Sequence, residues 1–228
     1  MCLLAGAAAC GPRAHIPPMP ESVPAEVAAS DSGAMLARSL APLLYIQRDE
    51  WFPLRRVVAV LHPTRRVIAY HLLWRDDVDG SWIPFTVPTD EEIVWVGYDT
   101  TLAPTDIWTY WHGSVLHADW HDRGRVAVDI QWGKHGSLPH QTIESDLPAP
   151  RKLNLFYLFT WVGLPDIWLG DLTRRGPICF CHGYTRYRDY SKLVSLAGRI
   201  DAVVRAEDPS DALADVFGRP YSRKLEWP

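Results

Sequence analysis

The residues with the clearest chemical potential form an acidic triplet, Asp90-Glu91-Glu92, which runs directly into the apolar residues 93–98. This apolar run is rich in β-branched and aromatic residues, a composition that predicts a strand. Successive side chains of a strand point to opposite faces, so Asp90 and Glu92 share one face and Glu91 takes the other. Two carboxylates on one face repel each other unless a cation or a proton lies between them.

Two kinds of cation are candidates for that place. A second acidic cluster, which contains Asp77 and Asp79, precedes the triplet, and Ca²⁺ and Mg²⁺ prefer oxygen ligands. A divalent cation held by Asp77, Asp79, Asp90 and Glu92 is therefore one prediction. The alternative is a salt-bridged strand end in which a basic side chain such as Lys134 supplies the counter-charge.

Histidines downstream of the triplet are candidates for acid–base chemistry. His135 stands in a glycine-containing loop after a predicted strand, where functional groups commonly lie, and His112 is followed by a glycine. If both converge on Asp90 and Glu92, the site fits a metal-assisted or acid–base hydrolase. Structural or surface histidines are the alternative, so the sequence leaves open whether the protein is an enzyme. Nucleophile-elbow, phosphate-loop and dinucleotide motifs are absent from the sequence.

The elements that must position these residues are mostly short strands. Alternating and β-branched patterns predict strands at residues 43–46, 57–61, 67–74, 91–98, 107–111, 115–120, 125–132 and 178–184. Helical spacing and capping residues predict helices at residues 34–40, 191–206 and 209–217. The pattern predicts a mainly β fold, an antiparallel β-sandwich with a C-terminal helical segment, in a single domain from residue 34 to residue 228.

The first 33 residues have a different character. Residues 1–11 end an alanine-rich apolar run at Cys10, which is similar to the end of a bacterial lipoprotein signal whose cysteine becomes lipidated. Residues 12–33 contain five prolines and predict an extended tether. These features predict an exported or lipid-anchored protein of a bacterial cell envelope. The alternative is a cytoplasmic protein with a frayed N-terminus.

The composition narrows the classes of partner. A formal charge of -4 argues against nucleic-acid binding, and no apolar run is long enough to predict a membrane-spanning helix, so a lipid anchor is the one predicted membrane contact. The 11 tryptophans predict either a large aromatic core or an aromatic binding surface. Cys179 and Cys181 are predicted to be buried thiols, since neighbouring positions on one face of a strand are poorly placed for a disulfide.

A series of motifs carries a resemblance to known proteins. The motifs are LAPLLYIQRDEWFP (residues 40–53), AYHLLWRDD (69–77), DEEIVWVGYD (90–99), YWHG (110–113) and KHGS (134–137). Their order resembles that of the Vps62-like domains of unknown activity and, more distantly, of the necrosis-inducing NPP1-type secreted β-sandwich proteins. In the NPP1-type proteins the acids of a D-W-E motif, a nearby acid and a histidine surround a divalent cation.

The resemblance implies Asp90 and Glu92 as cation ligands, with Asp77 or Asp79 as the preceding acid. Residues 87–89, Val-Pro-Thr, stand where that family has its histidine. Together with the tryptophan content, these features predict a module that binds a polar ligand, such as a glycan or a lipid headgroup, with a divalent cation at the acids. The hydrolase described above and an accessory domain without a small-molecule site are the alternatives.

Overall fold

The computed structural model describes residues 31–46, 50, 52–75, 90–111, 113–122, 124–131, 135–143, 146, 192–219, 221 and 224–228. The strands in these ranges are β1 (Leu43–Ile46), β2 (Leu54–Leu61), β3 (Val67–Trp74), β4 (Asp90–Tyr98), β5 (Pro104–Trp111), β6 (Ser114–Asp119), β7 (Ala127–Ile130), β8 (Ser137–Pro139), β9 (Lys192–Ser195) and β10 (Ala202–Arg205). The helices are α1 (Ser32–Ser39) and α2 (Ser210–Phe217), and a 3₁₀ turn spans Leu196–Gly198.

The strands form two sheets that pack against each other. The larger sheet has the order β10-β2-β3-β4-β5-β6, in which β2 to β6 are antiparallel neighbours and β10 runs parallel to β2. The smaller sheet has the order β8-β7-β1-β9, with β1 parallel to β7 and the other pairs antiparallel. The predicted β-sandwich with a C-terminal helix is therefore confirmed, with two parallel strand pairs within it.

The central strands of the larger sheet are buried on both faces. On one face, Leu72, Val94 and Val96 belong to the core between the two sheets. On the other face, Ile93 and Trp95 belong to a second core that includes α2 and the residues after it. A strand that is covered on both faces has no polar alternation, which explains the continuous apolar run of β4. The alternation also places Asp90 and Glu92 on the sandwich face and Glu91 on the helix face.

The predicted helix at residues 191–206 is wrong. This segment contains β9, the 3₁₀ turn and β10, and the two strands lie in different sheets. β9 pairs with β1 and β10 pairs with β2, so pairing with distant strands overrides the local helical pattern. Leu196 and Ile200 are buried at the crossing between the sheets, and this placement produces the apparent helical spacing.

The remaining predictions concern the helices, strand β8, the N-terminal segment and membrane spans. The helix near residue 34 begins after Asp31, whose carboxylate accepts from two backbone N–H groups, and α2 ends before Gly218. Strand β8 was not predicted. Residues 32 and 33, which the sequence assigns to the tether, begin α1. The N-terminal signal, residues 12–30 of the predicted tether, Cys10, Cys179, Cys181 and the predicted strand at 178–184 lie outside the described residues, so localisation and domain limits stay predictions. Among the described helices, none is long and apolar enough to cross a membrane.

Candidate functional site

Four separate segments bring charged side chains to the start of β4. Asp90 and Glu92 are the first and third residues of β4. His135 lies in the turn between β7 and β8, and Glu50 lies between β1 and β2. Lys224 comes from the segment after α2. We call these five residues the β4 charge cluster.

His135 is held between two carboxylates in this cluster. Its Nδ1 lies 2.9 Å from Oδ2 of Asp90, and its Nε2 lies 3.3 Å from Oε1 of Glu50. The imidazole ring stacks on Trp74, with 4.2 Å between the ring centroids and 3° between the planes. The side chain is fully buried. Because His135 precedes β8 and Asp90 begins β4, this contact joins the two sheets.

The backbone around His135 is built for this placement. His135 has a φ of 54°, a left-handed conformation that few residues other than glycine adopt. Its N–H donates to the carbonyl of Gln131, and the N–H of Gln131 donates to the carbonyl of Gly136. A Cβ at Gly136 would lie 2.9 Å from Cε3 of Trp111, so only glycine fits there. The turn therefore fixes the direction of the histidine.

The surroundings of His135 set its charge. Burial alone lowers the pKa of His135, but the carboxylates of Glu50 and Asp90 outweigh this effect and raise the pKa to about 9. The side chain is therefore an imidazolium ion near neutral pH. An imidazolium ion has no lone pair for a metal ion or for a substrate proton, so the geometry does not support His135 as a metal ligand or a general base.

Lys224 is the cationic partner of Glu92. Its Nζ donates to Oε1 of Glu92 over 2.7 Å and lies 4.7 Å from the centre of the Tyr110 ring. Burial lowers the pKa of Lys224, but Glu92 and Asp90 outweigh burial and raise it. Burial raises the pKa of Glu92, and the nearby ammonium of Lys224 opposes this shift and favours the carboxylate form. The contact is a charge-assisted hydrogen bond in a largely water-free place.

Glu91 belongs to a different arrangement, as the alternation along β4 predicts. Its Oε1 lies 2.7 Å from Nδ1 of His71, and both side chains are buried on the helix face. Burial raises the pKa of Glu91 to about 9 and lowers that of His71 to about 3. Near neutral pH the proton therefore lies on the carboxyl group, and the pair is a neutral hydrogen bond inside the core.

The structure brings together some of the residues that the sequence singled out. Asp90 contacts His135, and Glu92 lies close enough that the charges of both residues shift its pKa. Asp77, Asp79, His112 and Lys134 lie outside the described residues, so their roles at this site stay predictions.

Sequence reasoning missed Glu50 and Lys224. Glu50 lies inside the motif of residues 40–53, which marks it as a nearby acid. Lys224 follows the last helix, and no local pattern connects it with β4.

Comparisons with known proteins find only low structural similarity. No protein-family model matches the chain, and no curated protein sequence matches it. Among solved structures, the chain is similar to "NLPPya in complex with glucosamine", with a TM-score of 0.37 and 13% identity over 57% of this chain and 75% of that one. A complex of NLPPya with mannosamine gives a TM-score of 0.37 and 14% identity over 57% and 75% of the two chains.

A third structure, described as "Toxin fold for microbial attack and plant defense", gives a TM-score of 0.36 and 14% identity over 57% of this chain and 76% of that one. At TM-scores below 0.5 these matches carry no argument for a family, so the resemblance to the NPP1-type and Vps62-like proteins stays a prediction. TM-scores below 0.5 are too low to assign a function, so function has to be argued from the β4 charge cluster.

Proposed function

We propose that the protein is a β-sandwich binding module that takes a polar ligand at the β4 charge cluster. Among the described residues, three carboxylates meet two cationic side chains there. Oε2 of Glu92 is buried and has no hydrogen-bond partner among the described residues. This acceptor carries the proposal, because a buried acceptor without a donor costs free energy that a donor from a ligand would recover.

The cluster favours a ligand that is rich in hydrogen-bond donors. Sugar hydroxyls donate to carboxylates, and an ammonium group does so in a charge-assisted hydrogen bond, which is about twice as strong as a neutral one. A glycan that contains an amino sugar offers both groups. A lipid headgroup with an ammonium group shares part of this chemistry. Glucosamine is therefore a suitable probe, with glucose as the neutral analogue.

We further propose that Lys224 and His135 take the place that the sequence predicts for a divalent cation. Glu92 accepts from the ammonium of Lys224, and Asp90 contacts the imidazolium of His135. A Ca²⁺ or Mg²⁺ ion at these two acids would have to displace the ammonium and then lie beside the imidazolium. Two neighbouring positive charges repel each other strongly in a buried site. Metal-independent binding is the expected behaviour.

The same geometry favours binding over hydrolysis. A general base needs a free lone pair within reach of the substrate. His135 is fully buried, faces a carboxylate on each nitrogen and carries a proton near neutral pH. The residue that the hydrolase hypothesis needs most is therefore in the wrong state for that role. An accessory domain in which the cluster is purely structural is the second candidate, because Asp90 and Glu92 already contact the cationic side chains of His135 and Lys224.

Isothermal titration calorimetry distinguishes these candidates. Glucosamine should release or absorb heat with the wild-type protein in the presence of a chelator, and Glu92→Gln should weaken the binding at least tenfold. Glu226→Gln is the matched control, because Glu226 is exposed and lies two residues from Lys224. The absence of heat with glucosamine, glucose, Ca²⁺ and Mg²⁺ would support the purely structural cluster. Binding that requires Ca²⁺ would overturn the proposed role of Lys224.

A further inference from the structure

A second group of potential ligands lies on the hairpin of β5 and β6. Asp106 pairs with Asp119 across the two strands, and Trp108 pairs with His117 at the next position on the same face. Nε2 of His117 lies 2.9 Å from Oδ1 of Asp106 and 3.8 Å from Oδ1 of Asp119. All three ligand atoms lie within 4.8 Å of one another. We call these three residues the hairpin cluster.

We propose that the hairpin cluster is a surface site for a borderline transition-metal ion of the Zn²⁺ class. A tetrahedral zinc ion has metal–ligand distances of about 2.0–2.2 Å, which places its ligand atoms about 3.3 Å apart. The distances from Nε2 of His117 to the carboxylate oxygens of Asp106 (2.9 Å) and Asp119 (3.8 Å) lie on either side of that value. Asp119 is 67% exposed, so its carboxylate can rotate to bring the longer separation to the required one.

The sheet pre-organises two of the three ligands. The ring of His117 stacks on Trp108, with 4.9 Å between the centroids, which restrains the direction of Nε2. The hydroxyl of Thr105 donates to the carboxylate of Asp106. A Cβ at Gly97 would lie 3.1 Å from both Cβ of Asp106 and Cζ3 of Trp108, so the glycine leaves room for these side chains. Ligands on paired strands are positioned more precisely than ligands on loops.

The ligand atoms select the class of metal. One imidazole nitrogen and two carboxylate oxygens suit Zn²⁺ and neighbouring transition metals, whereas Ca²⁺ and Mg²⁺ prefer sites made of oxygen alone. Three protein ligands leave at least one coordination position for water or for a ligand from outside the chain. The site differs from the cation site that the sequence predicts, because it shares none of Asp77, Asp79, Asp90 and Glu92.

Zinc titration of protein with alkylated cysteines tests this site, since alkylation prevents the thiols from binding the metal. We expect one saturable binding event in the wild type that is lost in His117→Asn and weakened at least tenfold in Asp119→Asn. His121→Asn is the matched control, because His121 is also exposed and lies just beyond β6. A tenfold excess of Ca²⁺ or Mg²⁺ should not compete.

Three results would overturn the site. They are no saturable zinc binding by the wild type, binding that persists in His117→Asn, and equal loss in His121→Asn. Thermal unfolding of each variant shows whether the fold is intact. If any of the three results were found, the hydrogen bond between His117 and Asp106 would serve only to protect the edge of the sheet. Glucosamine binding at the β4 charge cluster should be unchanged in His117→Asn, so failure of one proposal is distinguishable from failure of the other.

Discussion

The β4 charge cluster and the hairpin cluster both place a histidine beside two carboxylates, but they differ in burial. His135 is fully buried, stacks on Trp74 and joins two sheets, whereas the side chain of His117 is 45% exposed on a single hairpin. In the buried cluster the carboxylates hold a proton on the imidazole, and the arrangement becomes a fixed charge network. In the exposed cluster water screens the same charges, so the ligand atoms stay available to a metal ion. The same residue types therefore serve different chemistry according to their solvation.

The largest expected effect is the loss of the buried histidine. His135→Asn keeps a residue that tolerates a positive φ but removes the cation between Asp90 and Glu50. Leaving buried charges without their partner costs about 3–5 kcal/mol. We therefore expect the free energy of unfolding in urea to fall by about that amount. His117→Asn is the matched change in the exposed cluster, and its effect should stay within about 0.5 kcal/mol. Equal losses in the two variants would contradict the contrast between the clusters.

The pH dependence of stability should show the same contrast. The pKa of His135 is about 9 in the folded protein, against an ordinary value of 6.5. The folded protein keeps a proton that the unfolded chain releases, so this stabilisation is complete below pH 6.5 and is lost as the pH rises through 9. The loss is at most about 3 kcal/mol.

Urea unfolding between pH 6 and pH 10 measures this dependence. The raised pKa values of Glu91 and Glu92 act in the same direction, so the difference between wild type and His135→Asn isolates the histidine. Parallel pH profiles for these two proteins would show that His135 is not an imidazolium ion in the folded state.

Removal of Lys224 should convert the buried cluster toward a metal site. Lys224→Met takes the ammonium from Glu92 and should cost about 2 kcal/mol, because the buried carboxyl group must then take up a proton. With the ammonium gone, Ca²⁺ should raise the melting temperature of the variant but not that of the wild type. Lys192→Met is the control, since Lys192 is exposed on β9. A calcium effect of equal size on the wild type would contradict the role of Lys224.

A smaller effect is expected at Gly97. Gly97→Ala brings a methyl group within 3.1 Å of Asp106 and Trp108, and because both side chains are only partly buried and can shift, we expect a cost of about 1 kcal/mol. Zinc binding should weaken because the two side chains must move. Gly198→Ala is a suitable control, since nothing lies within 4 Å of the position of its Cβ. Unchanged zinc affinity in Gly97→Ala would show that these side chains do not set the geometry of the hairpin cluster.

The sequence is sufficient to predict the structure where a single local rule determines it. Alternation along a strand separates Asp90 and Glu92 from Glu91, and the structure has Glu91 on the opposite face with His71. Most strand positions and the C-terminal helix also follow from local patterns. The helix predicted at residues 191–206 is wrong because two short strands in different sheets produce a helical spacing, and only their pairing with distant strands explains it.

The partners of the acids were harder to predict than the acids. Lys224 reaches Glu92 because α2 packs on the larger sheet and the chain returns to the start of β4, which is a property of the tertiary fold. The charge of His135 depends on Glu50, which is remote in sequence from both His135 and Asp90. The hairpin cluster required the register of β5 and β6, since Asp106 and Asp119 become neighbours only through strand pairing.

The central claim is that Asp90 and Glu92 of β4 bind a polar ligand. One pair of matched variants tests this claim most directly. Glucosamine binding is measured by calorimetry in the wild type, in Asp90→Asn and in Asp106→Asn, with urea unfolding to show that each variant is folded. We expect binding to the wild type and to Asp106→Asn, and a loss of at least tenfold in affinity in Asp90→Asn. Binding that is equal in all three folded proteins, or absent from the wild type, would contradict the claim.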